Sequence, residues 1–273
     1  MLADVVPFLV CPHCAETLTL DGGTLRCGNR HAFDVARQGY VNLLRGDTSI
    51  VGDTAPMVEA RAAFLDAGHY APVVDALVRA LRPGPGVIAD IGAGVGYYLA
   101  AALDAVPDRV GLAVDVSKHA SRRAARAHPR IGAAVCDARQ PLPVRDGAVG
   151  LVLNVFAPRN PVELRRILHP EGVLVVVAPT ARHLGELVST LDLLTVGADK
   201  QSRIDEKLAA EFTLVEREVC DFGMALSRGD VAALVGMGPN AFHLADDRDG
   251  RVADLAEPVR VTGSVIVSGY RPR

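Results

Sequence analysis

The stretch VIADIGAGVGYYLAAAL (residues 87–103) joins an apolar run through three glycines to an alanine-rich helical pattern. Glycines at 92, 94 and 96 allow a sharp turn and let a ligand approach the backbone amides at the start of the helix. A dinucleotide-binding G-x-G-x-x-G would need a third glycine at position 97, where this chain has Tyr97. The chain reads D-x-G-x-G-x-G from Asp90 instead, a form associated with S-adenosylmethionine sites.

The pattern of that stretch, an apolar run followed by a helical segment, recurs through the rest of the chain. Short apolar runs alternate with helical patterns, which favours a doubly wound, mostly parallel sheet. The predicted strands are 87–92, 111–116, 131–137, 150–155, 173–179, 213–222 and 260–270, and the predicted helices lie near 72–82, 97–105, 118–127, 161–168, 182–194 and 228–236. The last two strands lack a long crossover between them, so they could close the sheet antiparallel. We therefore expect a class I (Rossmann-like) α/β methyltransferase fold with a seven-stranded sheet.

Acidic residues stand at the predicted ends of successive strands. Asp90 suits the ammonium group of S-adenosylmethionine, directly or through water. Asp115, 25 residues later, suits the two ribose hydroxyls. Asp137 ends the third strand, where adenine usually docks. Together these positions predict binding of S-adenosylmethionine by Asp90, Gly92, Gly94, Gly96 and Asp115.

A second pattern precedes this region. Residues 11–31 read CPHCAETLTLDGGTLRCGNRH, with C-x2-C, twelve residues, then C-x3-H. This spacing predicts a closed, structural Zn²⁺ site of Cys11, Cys14, Cys27 and His31. His13 remains an alternative fourth ligand. Cys136 and Cys220 lie on predicted strands and are expected to be buried, inert thiols.

Bulk properties restrict the class of protein. The 273 residues have a net charge of −3, a mean hydropathy of +0.22, 4% aromatic residues and no Trp, so any RNA binding must be local. The start of the chain lacks a basic signal-peptide region and no apolar run could span a bilayer, so we expect a cytoplasmic protein without membrane contact. We expect a zinc-binding module (1–45), a linker and helix (46–71) and a methyltransferase domain (72–273).

Longer motifs resemble those of one family, the bacterial 23S rRNA guanine-N1 methyltransferases, which include tylosin-resistance determinants. The resemblance covers nearly the whole chain. It rests on the Cys3His spacing and on FDVARQGYVNLL (33–44), GDTAPMVEARAAFLDAGHYAPV (52–73), DIGAGVGYY (90–98), VDVSKHA (114–120), APTARHLGEL (178–187) and MGPNAF (237–242). The Ala-, Val- and Arg-rich composition favours the tylosin-resistance subgroup.

The resemblance implies methylation of guanine N1 in a hairpin loop of 23S rRNA, macrolide resistance and a homodimer. It implies Zn²⁺ at the four ligands above and cofactor contacts from Tyr70, Tyr98, Leu99 and His183. Ala93 departs from the family, where a cysteine is frequent. NVFAP (154–158) also departs, in a region that faces the substrate.

The catalytic residues are not evident. Methyl transfer from a sulfonium requires chiefly positioning and desolvation, and the N1 proton needs an acceptor or solvent. Asp137 and Asn154 are weak candidates at strand ends, although Asn154 cannot act as a base. The target guanine must be unpaired or flipped out, because N1 lies on its Watson–Crick edge.

RNA contacts are expected from the zinc module and from local basic residues: Arg26, Arg30, Arg37 and Arg61. The basic run KHASRRAARAHPR (118–130) is interpreted as a solvated helix face. Two other functions remain open, a small-molecule S-adenosylmethionine methyltransferase with an incidental zinc domain and a non-enzymatic zinc-ribbon protein that binds RNA or sequesters an antibiotic.

Overall fold

The computed structural model of the protein describes residues 1–46, 52–238, 240–243 and 248–273. Residues 47–51 of the predicted linker, and Pro239 within MGPNAF, lie outside the described residues. The strands are β1 (Leu18–Asp21), β2 (Thr24–Cys27), β3 (Ala32–Asp34), β4 (Tyr40–Asn42), β5 (Val87–Ile91), β6 (Gly111–Asp115), β7 (Ile131–Val135), β8 (Val149–Val155), β9 (Leu168–Pro179), β10 (Phe212–Leu226) and β11 (Val259–Pro272).

The helices alternate with these strands along most of the chain. They are α1 (Leu2–Val5), α2 (Ala55–Asp66), α3 (Ala71–Arg79), α4 (Tyr97–Ala105), α5 (Lys118–Ala124), α6 (Pro161–Ile167), α7 (Gly185–Leu191), α8 (Lys200–Leu208), α9 (Arg228–Gly236), α10 (Asn240–His243) and α11 (Arg248–Ala253). In the described part of the chain, no helix is long and apolar enough to cross a membrane.

The central sheet has the order β10-β11-β9-β8-β5-β6-β7-β4. The strands from β9 to β4 pair in parallel, whereas β11 pairs antiparallel with both β9 and β10. Strands β5 and β7 are buried along their whole length, as expected for parallel strands covered on both faces. The expected class I architecture, with an antiparallel end, is confirmed.

The sheet contains eight strands in the described residues, one more than expected. The added strand is β4, which lies within the predicted zinc module and pairs in parallel with β7. Its three residues are too few to show a strand pattern in the sequence. Helix α8 was also not predicted, because its sequence KQSRIDEKL is mostly polar and only Ile204 and Leu208 are buried.

The N-terminal module packs directly against the sheet. Its three-stranded sheet β1-β2-β3 is separate from the central one. However, Leu18, Leu25 and Val41 are buried in the same hydrophobic cluster as Leu112 and Val114 of β6. The module and the methyltransferase sheet therefore share one core.

The opposite face of the sheet carries the second core, which includes helices α2, α3, α4 and α9. Side chains alternate along β5, so Ile88 belongs to this core, whereas Val87 and Ala89 belong to the other. Asp90 shares the face of Ile88. This face also carries Tyr70 and Tyr98, and the candidate cofactor site lies there.

Candidate functional site: a zinc ribbon and a methyl-donor cavity

Two tight turns bring the predicted metal ligands together. Each turn closes through backbone hydrogen bonds, from Ala15 to Cys11 O in the first and from Arg30 to Cys27 O in the second. Ala15 and Arg30 have positive φ angles of 58° and 65°. The turns place one ligand atom from each of Cys11, Cys14, Cys27 and His31 within 4.8 Å of one another.

The spacing of these atoms matches a tetrahedral metal. His31 Nδ1 lies 3.4 Å from Cys11 Sγ, 3.5 Å from Cys14 Sγ and 3.4 Å from Cys27 Sγ, and the Cys14 and Cys27 sulfurs are 3.7 Å apart. Tetrahedral zinc, with Zn–S about 2.3 Å and Zn–N about 2.0–2.1 Å, requires edges of about 3.5 Å between S and N and about 3.8 Å between sulfurs. The donor set and its dimensions therefore fit Zn²⁺ with no open coordination position.

His13 lies outside this ligand cluster. Its ring stacks on Phe33, with 5.8 Å between centroids and 17° between planes. The other two cysteines are buried outside the ligand cluster, Cys136 directly after β7 and Cys220 in β10. Burial raises the pKa of both thiols, as expected for inert cysteines.

The glycine turn after β5 is built as its sequence predicts. Gly92, Gly94 and Gly96 have φ angles of +85°, +53° and +83°. A Cβ atom on Gly92 would lie 2.4 Å from Ala157 Cβ, so that position also lacks space for a side chain. Gly96 is the N-cap of α4, so the turn leads straight into the helix.

Asp115 holds this turn to the next strand. Its Oδ2 accepts a hydrogen bond from the Gly94 amide (2.8 Å), and its Oδ1 accepts one from the Ser117 amide (2.8 Å). A carboxylate offers about four acceptor positions, so both oxygens can still accept hydroxyl groups. Burial raises the pKa of Asp115 despite these two bonds.

Asp90 is a buried carboxyl group without a partner. Its side chain is 1% exposed, and neither oxygen has a hydrogen-bond partner within the described structure. Burial raises the pKa of Asp90 to about 8, and the nearby charge of Asp115 adds to the shift. A buried acid left unsatisfied is costly, so this position calls for a cation or a bridging water.

A cavity of about 380 Å³ opens beside the turn. It is lined by Gly92 and Gly94, by the aromatic residues Tyr70, Tyr98 and Phe156, and by His183 and Lys200. None of its described lining residues carries a carboxylate. The Leu99 side chain is fully buried in the core and does not line the cavity, so only its backbone could approach a ligand.

Tyr70 and His183 form a polar relay in the cavity wall. The Ser264 amide donates to His183 Nδ1 (3.1 Å), and His183 Nε2 lies 3.1 Å from the Tyr70 hydroxyl. Burial lowers the pKa of His183 to about 4, with a further contribution from the charge of Lys200, so the ring is neutral at pH 7. Because Nδ1 accepts, Nε2 carries the proton and donates to Tyr70. The Tyr70 hydroxyl proton then remains available to an acceptor in the cavity.

Phe156 is a cavity residue that the sequence analysis did not single out. It follows β8 with a φ of +52°, which is unusual for a bulky residue, and it is 40% exposed. Its ring stacks on His183, with 6.0 Å between centroids and 29° between planes. The resemblance indicated that NVFAP lies in a region facing the substrate. The unusual φ of Phe156, however, cannot be predicted from the sequence.

The two weak catalytic candidates lie outside the cavity lining. Asn154 is fully buried, and its amide donates to Ile91 O (3.1 Å) and Pro158 O (3.0 Å), while its Oδ1 accepts from Arg159 Nε (2.9 Å). Through these bonds Asn154 stabilises the loop after β8. Asp137 is also buried, and its Oδ1 accepts from the Arg139 amide (2.9 Å).

The segment before α2 covers the cofactor side of the site. Asp53 accepts a hydrogen bond from Ser117 Oγ at its carbonyl (2.6 Å) and pairs with Arg61 through its carboxylate. Arg61 also donates to Met237 O (2.6 Å) and lines the cavity. Arg61 is therefore part of this wall, whereas the sequence analysis expected it on an RNA-binding surface.

Comparisons with known proteins agree with this geometry. The family model described as RlmA, N-terminal, a zinc ribbon, matches residues 9–46. The chain is 49% identical to an assigned 23S rRNA (guanine-N1)-methyltransferase of Micromonospora griseorubida, over 100% of both chains. It is 48% identical to the 23S rRNA (guanine(748)-N1)-methyltransferase of Streptomyces fradiae, over 100% of this chain and 99% of that protein. The chain belongs to the 23S rRNA (guanine-N1)-methyltransferase family.

Solved structures show the same fold at much lower identity. The YcgJ protein of Bacillus subtilis is 13% identical with a TM-score of 0.52, over 75% of this chain and 99% of that one. A chain from the complex between the Haloferax volcanii Trm112 methyltransferase activator and its methyltransferase is 18% identical with a TM-score of 0.53, over 82% and 100%.

The cofactors of this guanine-N1 methyltransferase are S-adenosylmethionine and zinc. When bound, S-adenosylmethionine supplies an activated methyl group on a sulfonium, together with a cationic ammonium and an anionic carboxylate. The partnerless Asp90, the glycine turn and the free acceptor positions of Asp115 are the chemical complements of such a ligand. The aromatic and imidazole rings that line the cavity add both apolar faces and polar atoms to its wall.

The zinc ribbon of this methyltransferase gives a first prediction. We expect one zinc per chain, and Cys14→Ser should lose most of it because three ligands bind zinc far more weakly than four. Since the ribbon shares a core with the sheet, the variant should also unfold at a lower temperature. Metal analysis of purified protein by mass spectrometry tests this, with Cys220→Ser as the control. Full zinc content in Cys14→Ser would show that the assignment is wrong.

Asp90 gives a second prediction, for the ligand-free methyltransferase. Its folded pKa of about 8 lies above the unfolded value of about 4, so its stability contribution is present below about pH 4 and is lost as pH rises through about 8. Asp90→Asn should remove this slope and raise the melting temperature at pH 8, by about 2–4 °C for each kcal/mol regained. Thermal unfolding at several pH values measures it.

The same substitution should weaken binding of S-adenosylmethionine about 10- to 100-fold at pH 8, because a charge-assisted hydrogen bond contributes about 1.5–3 kcal/mol. Calorimetry measures the affinity, and Asp108→Asn, at an exposed position, is the matched control. Unchanged affinity in Asp90→Asn would remove Asp90 from the binding site.

Proposed function

We propose that this chain transfers a methyl group from S-adenosylmethionine to N1 of one guanine in a hairpin loop of 23S rRNA. The relative from Streptomyces fradiae is named for guanine 748, and we propose the corresponding guanine as the target. The observation that supports the proposal best is the cavity itself, which lies beside the turn that follows the partnerless Asp90 and is lined by an exposed aromatic ring, Phe156. A methyl group at this position would contribute to resistance against tylosin-type macrolides.

The residue roles follow from the geometry. Asp90 and the amides of the Gly92–Gly96 turn would receive the amino-acid part of the cofactor, and Asp115 its ribose hydroxyls. Tyr70, with its free hydroxyl proton, and Tyr98 would form the wall, and His183 would keep Tyr70 oriented. Zinc would be held by Cys11, Cys14, Cys27 and His31, where it stabilises the fold without entering the reaction.

We propose that Phe156 offers its face to the target guanine. A base with a reacting Watson–Crick edge must leave its stack, and aromatic side chains are the usual platform for such a base. Phe156 is suited to this because it is exposed, backed by the His183 ring and fixed at the mouth of the cavity. The described lining lacks carboxylates, so solvent at the open mouth would accept the N1 proton.

We also propose a separate role for each of three parts of the chain. Residues 1–45 would recognise the hairpin through Arg26, Arg30 and Arg37, residues 46–71 would close the cofactor site, and residues 72–273 would carry the reaction. We also propose a homodimer in the cytoplasm. The edge strand β10 supports a dimer, because it exposes Leu214, Val215 and Val219.

Ribosomal RNA from bacteria that lack such an enzyme should gain one modified guanine when this chain is expressed. An N1-methyl group blocks Watson–Crick pairing, so primer extension should stop one nucleotide before the guanine that corresponds to 748, and mass mapping should find one added methyl group there. Asp90→Asn should give little or no stop. Identical rRNA with and without the protein would refute the proposed function.

Phe156→Ala should lower kcat/KM for the RNA about 10- to 100-fold, because stacking of one base contributes about 1–3 kcal/mol. Phe156→Tyr keeps the ring and should retain most activity. Methyl transfer to a hairpin fragment and calorimetry with S-adenosylmethionine distinguish the roles. If Phe156→Ala weakens cofactor binding as much as it lowers kcat/KM, the ring is a cofactor wall and not a platform for the base.

A further inference from the structure

A second groove adjoins the methyl-donor cavity on the far side of the loop after β8. It has a volume of about 640 Å³ and is lined by Ala157, Pro158 and Arg159 of that loop and by one side of α8. Thr195, Val196 and Lys200 line both the groove and the cavity, so the two are continuous. We call this surface the loop–α8 groove.

The groove is strongly basic although the whole chain is not. Its described lining holds five basic side chains and one carboxylate, that of Asp199. The five are Arg139, Arg159, Lys200, Arg203 and Lys207. Asp199 pairs with Arg203, which leaves a local net charge of about +4 in a chain whose net charge is −3.

Two of these cations lie in the described structure without a counter-ion. Arg159 is half-buried and donates only to neutral oxygens, Asn154 Oδ1 at 2.9 Å and Ala157 O at 3.0 Å. Lys200 is also half-buried, and in the described structure no carboxylate pairs with either side chain. Burial lowers the pKa of both groups, and Lys200 is further affected by the charge of Arg159. Two half-buried positive charges without a counter-ion are unfavourable, so an anion bound between them would stabilise both.

The cations of α8 form a stripe along the helix. Lys200, Arg203 and Lys207 are spaced by three and four residues, so they share one face. With a rise of about 1.5 Å per residue the stripe is about 10 Å long. It runs from the cavity mouth outward, which matches a short stretch of nucleic-acid backbone better than a single small anion.

We infer that the loop–α8 groove binds the phosphate backbone of the RNA strand next to the target guanine. The inference rests on the proposed function and adds the path of the substrate strand. Arg159 and Lys200 hold the phosphate nearest the flipped nucleotide, and Arg203 and Lys207 hold the strand that leads away from it. Phe156, on the same loop as Arg159, then receives the base.

The basic run that begins on α5 contains as many cations as the loop–α8 groove, but its surroundings differ. The groove beside it is also lined by Glu59 and Asp66, and Arg123 lies 3.6 Å from Asp66. Arg122 and Arg126 are exposed there. This surface does not adjoin the loop after β8, so it supplies a control pair with the same change in charge.

The experiment compares two double variants in binding to a 23S rRNA hairpin fragment over a range of salt concentrations. Arg203→Ala/Lys207→Ala should weaken binding about tenfold near physiological salt and reduce the slope of log K against log salt by about 1–2, since each lost phosphate contact removes close to one unit. Arg122→Ala/Arg126→Ala should leave both quantities near the wild-type values. KM for the RNA should rise in the first variant while kcat changes little.

Two further measurements keep the outcomes distinct. Arg203→Lys/Lys207→Arg retains both charges and should keep the wild-type slope, and S-adenosylmethionine should bind all variants equally because neither residue lines the cavity. The inference is overturned if the α8 pair behaves as wild type, if both alanine pairs lose affinity equally, or if the charge-conserving pair also loses it. Wild-type protein that modifies no guanine refutes the proposed function, whereas wild-type methylation with an unaffected α8 pair refutes only the groove.

Discussion

The hydrogen bond from the Gly94 amide to the Asp115 carboxylate, next to backbone bonds from Gly92 and Ala93 to Val114 O, ties the glycine turn after β5 to the end of β6 and sets the geometry around it. It fixes the glycine turn in a shape that only positive φ angles allow, and it holds a second carboxyl group close to Asp90. Since both acids are buried, the charge of Asp115 raises the free energy of the ionised form of Asp90. The fold therefore keeps Asp90 without a partner until a cationic ligand is present, which is a typical cost of a preformed binding site.

The walls of the site come from distant parts of the chain, and each is tied to the turn or to the loop after β8. The segment before α2 is tied to the site through Asp53, whose carbonyl accepts a hydrogen bond from Ser117 and whose carboxylate pairs with Arg61 of α2. Arg61 in turn donates to Met237 O. A stretch that looks like a linker in the sequence therefore contributes to the wall of the cavity, through Arg61. On the other side, the buried amide of Asn154 sets the loop that presents Phe156 and Arg159.

Sequence patterns were sufficient to predict the parts of the site that are formed by residues close together in the chain. The zinc ligands lie on two short turns, so their spacing alone predicts the tetrahedron, and the acidic residues at strand ends follow from the alternation of strands and helices. Contacts between distant segments could not be predicted in this way. Tyr70 and His183 are 113 residues apart and meet only because α3 and the turn after β9 pack at the same edge. Strand β4 is too short, and α8 too polar, to give a periodic signal, and Phe156 depends on a backbone angle that no composition reveals.

The two ends of the site differ in their ionisable groups, and this difference suits the two proposed ligands. The cofactor end has two buried carboxyl groups, and the RNA end has two half-buried cations, Arg159 and Lys200. The methyl donor carries a sulfonium and an ammonium beside its carboxylate, whereas RNA is a polyanion. The carboxyl groups therefore suit the cationic parts of the donor, and the two cations suit RNA phosphates. His183 lines the cavity, and its pKa of about 4 keeps it neutral, so it adds charge to neither end. The near-neutral net charge of the chain hides this arrangement, because it depends on a few local groups and not on the total charge.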